Sequence, residues 1–385
     1  MTKLIKRSLI ALIMGAVIIS LSACGVRQSG EATVSLASPT IAAFYNTKYT
    51  VTSDGDLLVW GEVLWEQFEY GFGYIYEPIK VMDNAKSVYT TGNNTMAIRA
   101  DGSLYAWGWH GSGQLGGRQC GDLDFKAAPT KIMDDVISVT TGMAIRSDNS
   151  LWAWGANSLA NLEVDAIDTS LEWDEARYHP PIKIMEDVLS VSAGWSHWMA
   201  LRQDGSLYTW GGNVFGELGN NDESNGWIRR PTKVMDDVVF ISAGMHHSAA
   251  IKNDGSLWMW GMNWYGQIGD SSYSHERDGY RIHPETPTPT KIMEDVIFVS
   301  AGRLSTMAIT SERALYAWGD IVVGEASVIT PSRMLINPYP VRIAENVIYA
   351  SAEGRLFIKT DGSLWTFVGD EPEPDKIMDN VMIPR

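Results

Sequence analysis

Residues able to perform catalysis or bind a metal are sparse in this sequence. Its seven histidines show no HExxH spacing, no serine lies in a GxSxG segment, and there are two cysteines. His197 and His247 occupy equivalent places in a repeated segment, which favours hydrogen-bonded turn residues over catalytic ones. We therefore expect a protein that is not an enzyme, with no catalytic residue, no metal site and no cofactor.

Aromatic side chains are the other candidates, because they form large contacts with protein or glycan ligands. The tryptophans and tyrosines outside the repeated positions fall on long connections or short breaks, where binding residues are common. For any one of them, packing under its own loop is the alternative. The predicted binding residues are Trp109, Trp173, Tyr178, Trp195, Trp198, Trp227, Trp264, Tyr265 and Tyr280.

The overall charge restricts the partners. The chain has 30 basic and 46 acidic residues, which gives a formal net charge of -16 at pH 7. Such a chain repels polyanions, so DNA and RNA are poor candidates. The hydrophobic content of 45% is that of a globular protein. We expect a monomer without a nucleic-acid partner.

The first 24 residues differ from the rest of the chain. Lys3, Lys6 and Arg7 precede the apolar run SLIALIMGAVIIS, which is short for a membrane span. The segment LSAC then ends in Cys24. This pattern predicts an export signal over residues 1–23, with a plain membrane helix as the alternative.

The segment LSAC also resembles the lipobox of bacterial lipoproteins. The resemblance implies cleavage before Cys24 and attachment of a lipid to its sulfur. Residues 24–39 are small and polar, as in a tether. The implied location is extracytoplasmic, with the lipid anchored in the bacterial cell membrane or envelope. Cys120 then has no partner for a disulfide and is read as an unpaired loop residue.

Two phrases recur along the remaining chain. One is DGSLYAWG at residue 101, with versions at 54, 148, 204, 254, 312 and 361, spaced by 47 to 58 residues. The other is PTKIMDDVISV, which precedes the first phrase in each later unit. A repeat of this length is typical of propellers and arrays.

Each unit contains four short apolar runs separated by turn residues. In the unit from residue 289 the runs are TKIM, VIFVSAG, TMAIT and ALYAWG, and Asp-Gly turns suit antiparallel hairpins. The first WG unit lacks a preceding KIM strand, while the strand at 376–380 has no WG after it. The sequence predicts an all-β, seven-bladed propeller over 40–385, in which this C-terminal strand completes the first blade.

The segment SAGMHHSAAIKNDGSLWMWGMNWYGQIGD, residues 242–270, resembles the repeat of the regulator of chromosome condensation family. The resemblance covers 40–385 and implies a seven-bladed propeller, also similar to bacterial β-lactamase-inhibitory propellers. The third unit is shortened and the sixth replaces the Asp-Gly turn with SERA, so the family's function does not transfer directly.

The recurrent tryptophans are predicted to be scaffold. Each is followed by glycine, and a core aromatic is the ordinary use of such a period. Antiparallel strands place the AGxxH breaks and the long connections at one end of each blade. The other end collects acids in turns, where a cation or basic partner is the alternative to simple turn propensity. The recurrent tryptophans are Trp60, Trp107, Trp154, Trp210, Trp260 and Trp318.

The function predicted from these observations is that of a surface-tethered, non-enzymatic propeller. Its aromatic loop face would bind a protein or a cell-envelope glycan. A cell-envelope enzyme acting on glycans and a β-lactamase-inhibitor-like protein are the alternatives. Export argues against guanine nucleotide exchange on a nuclear GTPase, the best-known activity of the family that the repeat resembles.

Overall fold

The computed structural model describes the part of the chain that contains the repeats. The described residues are 41–44, 47–52, 54–63, 73–90, 94–109, 113, 115–116, 125–140, 142–155, 180–221, 226–270, 275–277, 280–282, 285–321, 328–329, 335–352, 355–367 and 374–378. Within these ranges, no helix is long and apolar enough to cross a membrane.

The described strands fall into two compact units, which divide at Asp187 and Val188. In the first unit, twelve strands form three antiparallel sheets in chain order: sheet 1 (β1–β4), sheet 2 (β5–β8) and sheet 3 (β9–β12). The strands are β1 (Ile41–Phe44), β2 (Thr47–Val51), β3 (Leu57–Val63), β4 (Gly73–Met82), β5 (Ala85–Thr90), β6 (Asn94–Arg99), β7 (Leu104–Trp109), β8 (Phe125–Met133), β9 (Val136–Thr140), β10 (Met143–Arg146), β11 (Leu151–Ala153) and β12 (Ile182–Met185).

The second unit contains the remaining described strands. They are β13 (Val188–Ala193), β14 (His197–Arg202), β15 (Leu207–Gly212), β16 (Trp227–Met235), β17 (Val238–Ala243), β18 (His247–Lys252), β19 (Leu257–Gly261), β20 (His275–Arg277), β21 (Tyr280–Ile282), β22 (Thr286–Met293), β23 (Val296–Ala301), β24 (Ser305–Thr310), β25 (Leu315–Gly319), β26 (Val328–Ile329), β27 (Leu335–Ala344), β28 (Val347–Ser351), β29 (Leu356–Lys359), β30 (Leu364–Thr366) and β31 (Asp375–Met378).

These strands form four further antiparallel sheets. Sheet 4 has the order β13-β14-β15-β16, sheet 5 the order β17-β18-β19-β22 and sheet 7 the order β28-β29-β30-β31. Sheet 6 has the order β23-β24-β25-β27-β26, so a short fifth strand extends its edge. Strands β20 and β21 pair as a separate ribbon. The prediction of an all-β chain with seven repeated antiparallel sheets is confirmed.

The boundaries between the sheets differ from the predicted ones by one strand. The sequence predicts that TKIM opens a sheet, whereas β22, which ends in TKIM, closes sheet 5 by pairing with β19. The Glu294–Asp295 turn therefore leads from one sheet to the next. Asp295 has a φ of 57°. Short turns with positive φ serve hairpins and inter-sheet passages alike, so the local sequence does not distinguish the two uses.

The predicted completion of the first sheet by the C-terminal strand is wrong. Strand β31 pairs with β30, with Lys376 opposite Trp365, and so belongs to sheet 7. In sheet 1 the edge position next to β2 is occupied by β1, in which Ile41 lies opposite Thr50 of β2. The segment IAAF of β1 has no counterpart in the two recurrent phrases, so it was not predicted as a strand.

The Asp-Gly turns connect neighbouring sheets as well as the strands that flank them. Gly255 has a φ of 79°, a conformation that glycine adopts without steric cost. Its carbonyl accepts a hydrogen bond of 2.9 Å from the Val296 amide at the start of sheet 6. In sheet 6 itself, Arg313 takes the glycine place with a φ of 64°, and its carbonyl accepts from the Val347 amide.

The second strands of sheets 4, 5 and 6 contribute most of their residues to the buried core. In β14, β18 and β24 the first five residues are all buried, because neighbouring elements cover both faces of each strand. The recurrent tryptophans whose side chains are described are at most 1% exposed, as the scaffold prediction requires. They are Trp107, Trp154, Trp210, Trp260 and Trp318.

Candidate binding surface

Sheets 4, 5 and 6 each have two chemically different ends. The strands are antiparallel, so the break between the first two strands shares an end with the connection after the third strand. We call this the aromatic end; its described connections are 194–196, 213–221, 244–246, 262–270 and 302–304. The opposite, acidic end carries the turns at 203–206, 236–237, 253–256 and 294–295. The predicted division of the connections between two ends is confirmed for these sheets.

Hydrogen bonds between neighbouring sheets fix the backbone at the aromatic end. The Ala243 amide donates to Ser192 Oγ at 2.9 Å, and the Ala301 amide donates to Ser242 Oγ at 3.0 Å. The Trp195 amide also donates to the Met245 carbonyl at 3.0 Å. The recurrent SAG segments thus form hydrogen bonds from each sheet to the next. These bonds fix the positions of the successive breaks relative to one another.

The loop after β15 is attached to sheet 5 through one backbone carbonyl. The Glu217 carbonyl accepts from Trp260 Nε1 at 2.7 Å and from Ser248 Oγ at 2.8 Å. A Cβ on Gly219 would lie 2.8 Å from Trp260 Nε1, so no larger residue fits beneath this ring. The segment GELG and the recurrent tryptophan therefore form one packing unit.

The two repeat histidines belong to the same scaffold. Ser248 Oγ donates its proton to the Glu217 carbonyl, so it accepts from His197 Nε2 at 2.9 Å. In the same way, His247 Nε2 lies 3.0 Å from Thr306 Oγ1, which donates to a backbone carbonyl of the next loop. Burial lowers the pKa of His197 to about 4 and that of His247 to about 3. Both rings are fully buried and neutral, which agrees with a structural role.

A second pair at the aromatic end involves side chains instead of the backbone. Glu217 is buried, and its Oε2 accepts from the Phe215 amide at 2.8 Å. Its Oε1 lies 3.1 Å from His246 Nδ1, which donates to the carboxylate. The Phe215 and His246 rings meet edge to face at 4.9 Å between centroids. The carboxylate thereby orients an imidazole that retains 18% side-chain exposure.

Large apolar side chains surround this pair on the surface. Trp195 is 74% exposed, Val214 is 54%, Trp227 is 47% and Trp264 is 46%. The Phe215 ring contacts Trp264 edge to face at 5.2 Å, and Trp264 Nε1 donates to Glu285 at 2.9 Å. Trp227 is paired with Gly212, whose amide donates to the carbonyl of Ser196 beside Trp195. We call Trp195, Val214, Phe215, Trp227 and Trp264 the aromatic patch.

The predicted binding residues have different outcomes. Trp195, Trp227 and Trp264 belong to the patch, and Tyr265 is half-buried beside it. The prediction for Trp198 as a surface residue is wrong: it lies within β14, is 5% exposed and stacks on Trp210 at 6.4 Å. The sites outside the described residues are Cys24, Trp173 and Tyr178. Two others lie in described strands, but their side chains are not described: Trp109 in β7 and Tyr280 in β21.

The sequence-based prediction missed Val214, Phe215, Glu217 and His246. A signal for the pair was present in the repeat. Glu217 stands where the next unit has Gln267, and His246 stands where the next unit has Leu304. Both residues depart from the repeat, and they contact each other in the structure. This indicates that they have a role other than packing the repeat units together.

The acidic end offers no comparable binding site among the described residues. Asp254 accepts from the amide and hydroxyl of Ser256, and these bonds lower the pKa of Asp254. Asp236 pairs with Lys233, and Glu294 pairs with Lys291. No group of three or more metal-ligating side chains occurs within the described ranges. Turn formation and local ion pairing account for these acids.

Part of the repeat region matches the models of a known family. Residues 204–251 and 254–309 match the regulator of chromosome condensation (RCC1) repeat, and a second RCC1 repeat profile matches 188–217 and 238–267. Among curated proteins, the ultraviolet-B receptor UVR8 of Arabidopsis thaliana is 26% identical over 180 residues, 44% of this chain. The mitochondrial RCC1 domain-containing protein RUG3 of Arabidopsis thaliana is 27% identical over 198 residues, 46% of this chain. The matches span 40% and 42% of these relatives' own lengths.

Solved structures show the fold. The structure of yeast RCC1 (Prp20) bound to Kap60 has a TM-score of 0.61 at 20% identity, covering 87% of this chain and 78% of that chain. Human WBSCR16 has a TM-score of 0.62 at 16% identity, covering 81% of this chain and 87% of that chain. The fold is therefore that of RCC1-like propellers, and the predicted resemblance to this repeat is confirmed.

Proposed function

We propose that this protein is a non-enzymatic binding propeller that docks a protein ligand on its aromatic patch. One observation carries the proposal: among the described large apolar residues, the four most exposed lie at the same end of two neighbouring sheets. Clustered exposed apolar side chains on a folded surface are typical of interaction sites. Tryptophan in particular is enriched among residues that dominate binding energy.

The scaffold beneath the patch suits recognition. Trp195 lies in a break whose backbone is bonded to the next sheet, and the Trp264 ring is fixed by Phe215 and Glu285. The Trp264 ring, held in this way, loses little conformational freedom when a partner binds, which favours affinity. The buried, neutral His197 and His247 are shielded from any substrate, and this supports binding over catalysis.

Structural relatives also bind proteins. Yeast RCC1 (Prp20) has been crystallised with Kap60, and its binding to Gsp1p and histones has been described. These partners belong to the yeast protein. For this chain they support a protein ligand in general, while the aromatic patch supplies the place where that ligand binds.

The proposal includes surface tethering through Cys24. It rests on the residues LSAC and the preceding basic and apolar segments. Metabolic labelling with a fatty acid tests it: the parent protein should incorporate label and Cys24→Ala should not. Equal incorporation into both would contradict the lipid anchor without affecting the docking proposal.

The docking proposal is tested by capture from cell-envelope extract, followed by affinity measurement with the purified partner. Trp195→Ala combined with Trp264→Ala should weaken binding by about a thousandfold, because each anchor is worth about 2 kcal/mol and about 1.4 kcal/mol is a factor of ten in affinity. Ile297→Ala is the matched control, since Ile297 is 37% exposed and adjoins a turn of the acidic end. Unchanged affinity of the double variant would refute the patch as the site, and capture of a glycan alone would refute a protein ligand.

A further inference from the structure

Two exposed arginines lie at the aromatic end of a chain that is acidic as a whole. The chain has a formal net charge of -16, yet neither arginine has an acid partner among the described residues. Arg229 is exposed in β16, two residues after Trp227. Arg303 is exposed in the break between β23 and β24. Both guanidinium groups are available to a ligand.

Arg303 belongs to the same series of breaks as Trp195. The Trp195 amide donates to the Met245 carbonyl, and the Met245 amide donates to the carbonyl of Gly302, which precedes Arg303. These contacts place an exposed indole, a half-buried thioether and an exposed guanidinium at equivalent positions of three successive sheets. The surface therefore combines apolar contact area with a cation at its border.

The described acids near the patch are already engaged within the protein. Glu285 accepts from Trp264 Nε1, and Glu217 accepts from the Phe215 amide and His246. Asp320 accepts from Arg355. These bonds occupy oxygens of Glu285 and Glu217, and neither acid forms an ion pair with Arg229 or Arg303. The two guanidinium groups therefore keep their donors available for a carboxylate of a ligand.

We propose that the aromatic patch binds an acidic protein segment in which one or more carboxylates flank a large apolar side chain. This inference rests on the proposed docking function and specifies its partner. The apolar side chain packs against Trp195 and Trp264, while the carboxylates accept charge-assisted hydrogen bonds from Arg229 and Arg303. Arginine is suited to this role because its planar fork matches carboxylate geometry.

The pattern of lysine pairing at the other end supports this assignment. Lys233 pairs with Asp236 and Lys291 pairs with Glu294 beside their turns. The lysines at these positions therefore form ion pairs with acids in the protein's own turns. Arg313, at the acidic end, is exposed and has no acid partner among the described residues, but it has no exposed aromatic cluster around it. It therefore provides a matched control for charge without an apolar surface.

The test is a selection of random displayed peptides against three forms of the full-length protein: the parent, Arg229→Glu combined with Arg303→Glu, and Arg313→Glu. The parent and Arg313→Glu should enrich peptides in which Asp or Glu flanks Trp, Phe or Leu. The double charge reversal should bind the parent-selected peptides about tenfold more weakly, and added salt should reduce the difference. Thermal melting of each form confirms that it is folded.

The outcomes separate this inference from the docking proposal. Peptides that lose binding on Trp264→Ala but carry no excess of acidic residues would overturn the acidic partner and leave the patch as the docking site. Peptides that keep their affinity for Trp195→Ala/Trp264→Ala would overturn both. Equal weakening by Arg313→Glu and by the double reversal would show a general charge effect and also overturn the inference.

Discussion

The boundary between sheets 4 and 5 and the boundary between sheets 5 and 6 have the same backbone scaffold but different surfaces. At the first, the Glu217 carbonyl accepts from Trp260; at the second, the Gln267 carbonyl accepts from Trp318 at 2.8 Å. The side chains then diverge. Glu217 bonds to His246, whereas the equivalent Gln267 has a buried Nε2 without a partner among the described residues.

The comparison separates what the repeat needs from what this protein adds. Tryptophan, glycine and the SAG hydrogen bonds recur at both boundaries, where they pack the neighbouring sheets together. The Glu217–His246 pair and the exposed rings around it are not required for packing, since the next boundary exists without them. Residues that depart from the repeat are therefore the ones to examine for binding.

The largest expected effect separates Trp260, in the shared scaffold, from Trp264, on the surface. Trp260 is 0% exposed, so Trp260→Ala should lower the free energy of unfolding by about 3–5 kcal/mol through the cavity it leaves. Trp264→Ala should lower it by about 0.5 kcal/mol, because the ring is 46% exposed. Denaturant unfolding of both variants measures the difference. Similar losses would mean that Trp264 belongs to the core.

Acidification should affect both boundaries together, because each contains a buried neutral histidine. The pKa of His197 is lowered to about 4 and that of His247 to about 3, from 6.5. Below pH 6.5 the unfolded chain binds more protons than the folded chain, so stability is full above this pH and falls toward pH 4. At pH 5 the two rings together should cost about 4 kcal/mol.

Unfolding measured between pH 7.5 and pH 4.5 tests this expectation. The variant His197→Asn/His247→Asn provides the comparison, because it lacks both titrating rings. Its stability should change much less with pH over the same window, whatever its stability at neutral pH. An identical pH slope in the parent and the variant would show that other groups control the acid response.

A smaller effect tests the difference between the two boundaries directly. His246→Leu removes the donor to a buried carboxylate and should cost about 2 kcal/mol. Adding Glu217→Gln recreates the Gln267 and Leu304 arrangement of the next boundary and removes the buried charge. The double variant should recover about 1 kcal/mol or more relative to His246→Leu. Strictly additive losses in this double-mutant cycle would show that the pair is not coupled.

Recurrent features could be predicted from the sequence, whereas contacts between units could not. The period gave seven sheets, the buried tryptophans and the separation of the two ends. The grouping of TKIM with the preceding sheet depends on register, which short turns do not encode. Trp198 was assigned to the surface because it falls at a short break in the repeat, whereas β14 already begins at His197 and its first five residues are buried. The Glu217–His246 contact joins residues 29 positions apart, beyond the reach of any local pattern.

The comparison of sheets 5 and 6 extends to their acidic ends, where the smallest effect is expected. Gly255 and Arg313 occupy the same turn place with φ values of 79° and 64°. A non-glycine residue in this region is strained by about 1 kcal/mol, so Arg313→Gly should raise the free energy of unfolding by about 0.5–1 kcal/mol. Arg313→Ala removes the same charge but keeps the Cβ, so it should give no gain. The melting temperatures of the three proteins decide the point: an equal rise in both variants would assign the effect to charge, and no rise in either would mean that the turn accommodates Arg313 without strain.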